Sequence, residues 1–193
     1  MSFSSLFLSS LSLYSLFVLV IATGQVNGPI ILTNLINSFT GSGGSVTDNL
    51  TTVSFNAGQT GTYTSNIIAF PSGKNILDFQ ATLTQLSGVN DFIYFTVIGT
   101  TPNVYTFSLS TSGGNTLYQI LVNGSPVTST ASISLNANIR IRVYYGTSVQ
   151  FFINNTLVRS ATTDPLNSYQ LQISGGGGTA TRTLTNIAAY AGP

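Results

Sequence analysis

Cysteine, histidine, tryptophan and glutamate are all absent from this 193-residue chain, and charge of either sign is scarce. Without cysteine there is no disulfide framework and no thiol nucleophile, and the redox compartment leaves no trace. Without histidine and cysteine, nucleophilic triads and ordinary zinc sites are excluded. Charged residues make up 5% of the chain, against roughly a quarter in an average globular domain. The acids are Asp48, Asp78, Asp91 and Asp164; the bases are Lys74, Arg140, Arg142, Arg159 and Arg182. A formal net charge of +1 offers no basic stripe for a nucleic acid. Glycoside hydrolysis needs two carboxyl groups flanking one bond, and here only Asp78 and Asp91, at opposite ends of an expected hairpin, are candidates. An Asp at such a place more often caps a turn. The expectation is that the chain is not an enzyme and takes no cofactor; calcium on Asp91 with Asn90 is weighed and set aside, because one or two carboxylates make a weak site.

What is present is strand-forming sequence, densest at 139–160. Ile139, Ile141 and Val143 alternate with Arg140, Arg142 and Tyr144, the period of a half-buried strand. Val149, Phe151 and Ile153 repeat the pattern after a turn at Gly146. A third strand follows Asn154 and Asn155, a pair suited to a two-residue hairpin turn because asparagine tolerates positive φ. Further strands are expected near 51–55, 62–70, 75–86, 92–99, 103–110, 116–122, 127–134, 168–173 and 181–190. Gly, Ser, Asn and Pro clusters punctuate them, and no helical stripe of ten or more residues follows residue 49. Many short strands at this spacing predict an all-β, two-sheet antiparallel β-sandwich of the jelly-roll kind. Its core is expected from Ile76, Phe79, Leu83, Phe92, Tyr94, Phe95, Val97, Phe107, Leu109, Ile120, Val122, Ile141, Val143, Phe151, Ile153, Leu157, Leu171, Ile173, Leu184 and Ile187.

Three regions are expected: 1–24 as a hydrophobic helix, 25–48 as a linker and 49–193 as the sandwich. The first 47 residues carry no Asp, Glu, Lys, Arg or His. Phe3, Leu6, Phe7, Leu11, Leu13, Leu16, Phe17, Leu19 and Ile21 give an apolar stretch long enough to cross a hydrocarbon core. A cleaved signal peptide is the competing reading, with small residues near 22–24 or 26–28 as cleavage sites. The missing Lys or Arg ahead of it and its length favour a retained membrane anchor, whose orientation is left open. The 29–39 segment is apolar enough to lie against a membrane, a neighbour or the sandwich, or to be its first strand. The Gly-Ser run at 41–45 reads as a flexible break.

The stretch IRIRVYYGTSVQFFINNTLV at 139–158 resembles the late meander of concanavalin A-like lectin/glucanase domains, the laminin-G-like group. There a strand of R-x-x-Y type is followed by G-x-x-V-x-F-x-I-N-G-x-L-V, and Asn155 stands where Gly is frequent. Residues 75–100 resemble the early paired strands of that group, and 181–190 its last strand. The resemblance implies a concanavalin-like jelly roll but no activity, since one fold hosts many functions. A looser similarity, of style only, links the hydrophobic leader and cysteine-free Ser/Thr/Asn strands to minor structural proteins of large DNA viruses.

Sugar recognition stacks an aromatic ring on a pyranose beside amide groups, and Tyr144, Tyr145 and Asn154 are the candidate glycan contacts, although a strand tyrosine is more often packing. Asn49, Asn123 and Asn154 each open an Asn-X-Ser/Thr triplet and are candidate N-glycosylation sites. Arg140 and Arg142, on one face of one strand, are expected to protect it from edge pairing. The neutral, hydroxyl-rich surface favours assembly. The leading expectation is therefore a non-catalytic, membrane-anchored minor capsid or virion protein, whose partners are other copies or subunits of the particle and a membrane. The alternatives are a secreted or cell-surface carbohydrate-binding module, with carbohydrate as partner, and an extracellular filament subunit. In each case the sandwich lies outside the cytoplasm.

Overall fold

The computed structural model describes residues 33–99, 103–162 and 166–193. The helix expected at 1–24, with its nine anchor residues, lies outside them. Among the described residues no helix is long and apolar enough to cross a membrane; all regular structure there is strand.

Two antiparallel sheets face each other. The nine-stranded sheet runs β1 (Phe39–Ser42), β4 (Gly61–Ser65), β15 (Ser168–Gly176), β7 (Phe92–Ile98), β8 (Val104–Ser112), β9 (Asn115–Val122) and β10 (Ser125–Pro126), with β5 (Ile68–Ala69) on β15 and β11 (Ala131–Ser132) on β9. The seven-stranded sheet runs β14 (Thr156–Thr162), β13 (Ser148–Ile153), β12 (Asn138–Tyr144), β6 (Ile76–Gln85), β16 (Arg182–Gly192), β3 (Thr52–Phe55) and β2 (Ser45–Thr47).

The expected meander is β12, β13 and β14. Ile141 pairs with Phe151 and Val143 with Val149, and on the other side the same two residues pair with Phe79 and Leu77. Register follows from burial, because a one-residue slip would turn this whole apolar set to solvent. Asn154 and Asn155 take φ of 48° and 63°, which closes the β13–β14 hairpin. A bulge between Phe151 and Phe152 shifts the end of β14. The core lies between the sheets, and Phe107 of the nine-stranded sheet meets Phe151 of the seven-stranded sheet edge to face at 5.5 Å, a contact adding about 1 kcal/mol to its area burial.

Some expected elements differ. Tyr94 and Leu157, expected in the core, are 37% and 50% exposed. Ile93, Phe95 and Val97 already fill the inward positions of β7, so Phe92 and Tyr94 point out. The 62–70 run breaks at Asn66, whose side chain donates to the carbonyls of Leu35 and Ile67 and accepts from Asn37 N. At 127–134 only Ala131–Ser132 pairs as strand; Thr128 Oγ1 instead accepts the bond from Ile120 N. The stretch expected as a linker joins the sheets from Asn34 on: β1 pairs with β4 and β2 with β3. The reason lies in β16, whose pairing with β3 ends at Leu184 and leaves the backbone groups of Ala189 to be met. Asn34 Oδ1 accepts from Ala189 N at 2.9 Å and Leu35 N donates to Ala189 O at 2.8 Å.

At one end of the sandwich the loops 56–60, 86–91 and 177–181 converge on a buried ion pair. Arg182 and Asp91 are 0% and 1% exposed. The Arg182 guanidinium donates to the carbonyls of Asn56, Gln59, Gly177 and Ala180 and to Asp91 Oδ1, while Asp91 Oδ2 accepts from Gly88 N. A side chain on Gly178, at φ +71°, would put its Cβ 1.4 Å from Asp91 Oδ1. The glycine run at 175–178 is thus more than a turn; it lets backbone close on the pair.

Candidate functional site

The outward face of β6, β12 and β13 carries a half-buried charge cluster. Strand alternation sends Asp78 and Gln80 of β6, Arg140, Arg142 and Tyr144 of β12, and Gln150 and Phe152 of β13 to the same side. Register sets them in rows: Gln80, Arg140 and Phe152 in one, Asp78, Arg142 and Gln150 in the next. Tyr190 of β16 lies beside Asp78 in the second row.

Asp78 and Arg142 form a forked pair. Arg142 Nε donates to both carboxylate oxygens, at 2.9 and 3.1 Å, and Nη2 donates to Oδ2. The hydrogen bond to Asp78 raises the Arg142 pKa against partial burial, with a smaller contribution from the Tyr144 hydroxyl, so this cation holds its charge at any working pH. Arg140 is bound differently. Its guanidinium stacks over Phe152 at 4.3 Å from the ring centroid, a cation–π contact, and its Nε stands 3.8 Å from Asp78 Oδ1, beyond hydrogen-bond reach. That Nε is buried and has no hydrogen-bond partner.

The three candidate glycan contacts do not meet. Tyr144 lies in the cluster. Tyr145 sits at the rim, 42% exposed, with its ring edge to face with Phe70 at 5.4 Å. Asn154 lies at the far end of β12, about 20 Å away by strand rise, where its Oδ1 caps Asn138 N. Asn49, Asn123 and Asn154 are all exposed in turns and all have positive φ. Asp78 and Asp91 belong to separate sites: one is on the sheet face, the other is locked to Arg182. Asp91 is therefore not presented to a cation, and the described residues hold no group of three metal-ligating side chains. Arg140 and Arg142 do not guard an edge, because β12 is paired on both sides.

Sequence reasoning missed Asp78, Gln80, Gln150 and Phe152 as partners of the arginines. The available signal was parity: each occupies an outward position of an alternating strand. The 64-residue separation of Asp78 and Arg142 left no local trace of their pairing.

No family model matches the chain, and no curated protein matches it in sequence. Solved structures do. The Emp47p carbohydrate recognition domain matches with a TM-score of 0.59 at 10% identity, covering 83% of this chain and 91% of that one. The Bacillus licheniformis β-glucanase matches with a TM-score of 0.53 at 10% identity, covering 88% and 92%. The alginate lyase AlgAT5, of polysaccharide lyase family 7, matches with a TM-score of 0.51 at 12% identity, covering 78% and 82%.

The fold is thus the concanavalin-like lectin/glucanase jelly roll; similarity to viral structural proteins finds no support. The expectation that the chain is not an enzyme is corrected, since a glucanase and a lyase share this sandwich. Missing Glu, His and Cys exclude particular catalytic devices, not catalysis; the Tyr144 hydroxyl beside Arg142 is a group of general acid–base type that the elimination left out.

Proposed function

We propose that this protein is a lectin-like carbohydrate-binding module, and that saccharide lies across the outward face of β6, β12 and β13. This takes the place of the virion-subunit expectation, for which neither the sheets nor the comparisons supply an observation. The observation that carries the proposal is the Asp78–Arg142–Tyr144 set, a fixed array of acceptor and donors flanked by Gln80, Gln150 and a second cation, Arg140. Sugar hydroxyls need such convergent, preorganised polar groups, and the forked pair supplies them without further ordering cost. The fold is also that of the Emp47p carbohydrate recognition domain. The protein then acts outside the cytoplasm, secreted or held by the 3–23 segment, where glycans are met and where Asn49, Asn123 and Asn154 are open to modification.

Glycan-array binding by the full chain tests this, with Arg142→Gln and Tyr144→Phe alongside. Specific glycans bound by the wild type and lost at least about tenfold by Arg142→Gln are expected, the order of a charge-assisted hydrogen bond. A wild type that binds no glycan, or an Arg142→Gln variant that binds as well as the wild type, sinks the proposal.

A further inference from the structure

Within the same face, Arg140 stands out as a cation with its hydrogen bonding unmet. Its side chain is 17% exposed, yet among the described residues it makes no side-chain hydrogen bond, and its Nε is buried without an acceptor. Buried donors are nearly always satisfied; Arg182 Nε shares this lack, but the Nη groups of Arg182 are all bound and those of Arg140 are not. Asp78 does not supply it. That carboxylate already accepts three bonds from Arg142, so one negative charge faces two guanidinium groups and the cluster keeps a charge of +1. No other acid of the described residues reaches it, because Asp91 is sealed against Arg182 and Asp48 lies in the β2–β3 turn.

The guanidinium is also held still. Phe152 supports it from beneath at 4.3 Å and Asp78 attracts it from one side at 3.8 Å. A planar cation that is fixed, partly desolvated and short of acceptors matches a carboxylate or sulfate group better than a hydroxyl, since an anion meets both the surplus charge and the Nη donors at the surface, the buried Nε lying out of a ligand's reach.

We infer that Arg140 is a specificity residue for acidic saccharides, receiving an acid group carried on the sugar while Arg142, Asp78 and Tyr144 hold the neutral ring atoms. This rests on the carbohydrate reading above. The experiment measures equilibrium binding of the full chain to polygalacturonate, to its methyl ester, which keeps the sugar and removes the charge, and to dextran sulfate and dextran. The wild type is expected to bind polygalacturonate or dextran sulfate at least about tenfold more tightly than the uncharged counterpart, the order of one charge-assisted bond. Preference for the first identifies a carboxylate, for the second a sulfate. Arg140→Gln abolishes the preference, leaves binding of the neutral polymer within about twofold, and keeps the melting temperature, because no hydrogen bond is lost with the guanidinium. Equal wild-type binding of charged and neutral polymers overturns the inference, and so does a preference that survives Arg140→Gln; in both, saccharide binding itself still stands. Binding to none of the four polymers, nor to any acidic or neutral glycan on an array, overturns both readings together.

Discussion

The two arginine–aspartate sites of this molecule use the same chemical groups to opposite effect. At the loop end, Arg182 meets four carbonyls and one carboxylate oxygen and is sealed from water. On the sheet face, Asp78 answers one arginine fully and the other only at a distance. The first arrangement engages both Nη groups of Arg182, leaves only its buried Nε without an acceptor, and holds three loops in place. The second is open and has capacity to spare. An ion pair is thus no marker of function until its remaining donors are accounted for; occupied Nη groups separate a structural rivet from a binding face.

That contrast can be broken most forcefully at the sealed site. Arg182→Met leaves the Asp91 carboxylate buried without its counter-ion and is expected to cost about 3–5 kcal/mol, read as a lowered midpoint in urea unfolding. Adding Asp91→Asn should recover part of the loss, since the stranded charge is then gone; a double variant no better than the single one would mean that the carbonyl bonds, not the charge, dominate. Gly178→Ala is expected to cost about 2–3 kcal/mol, through its positive φ and the collision with Asp91 Oδ1. A stability within 0.5 kcal/mol of wild type, on the order of an ordinary surface change, would show that the loop can retreat from the pair.

At the open site the effects shrink. Asp78→Asn exchanges a forked pair for weaker neutral bonds and leaves two cations adjacent, at a cost of about 1 kcal/mol given its partial solvent exposure. Arg140→Gln should change stability by less than about 0.5 kcal/mol while altering which saccharides bind. If instead it destabilises as much as Asp78→Asn, then Arg140 is a structural element of the face and the comparison collapses.

Much of the architecture was readable in advance because alternation with period 2 is a strong signal wherever one side of a strand is buried. The β12–β13–β14 meander, with its Asn154–Asn155 turn, followed from that alone. The rule failed where both sides of a strand are apolar: in β7, Phe92 and Tyr94 compete with Ile93 and Phe95 for the inward positions, and composition does not decide between them. It failed again at Leu157, because a bulge resets parity and nothing in Phe151–Phe152 announces one. Within the 25–48 stretch read as a linker, β1 and β2 are strands that the Gly-Ser composition does not announce, and Gly41, Gly43 and Gly61 allow β1 and β4 to approach more closely than a Cβ permits. Arg140, Arg142 and Tyr144 were recognised as one face, but Asp78 joins them only through tertiary pairing, so the cluster itself was hidden.

The position of β15 and β16 has a consequence for how the protein is made. β15 fills the slot between β4 and β7, and β16 the slot between β6 and β3, so each layer stays split until those two strands arrive. On the ribosome, everything up to β14 emerges as two unfinished curtains with raw edges facing the gap. Folding therefore waits for β15 and β16 and then has to bring distant partners together at once, the slow, non-local kind of assembly. During that interval the cell must keep the open edges from finding one another.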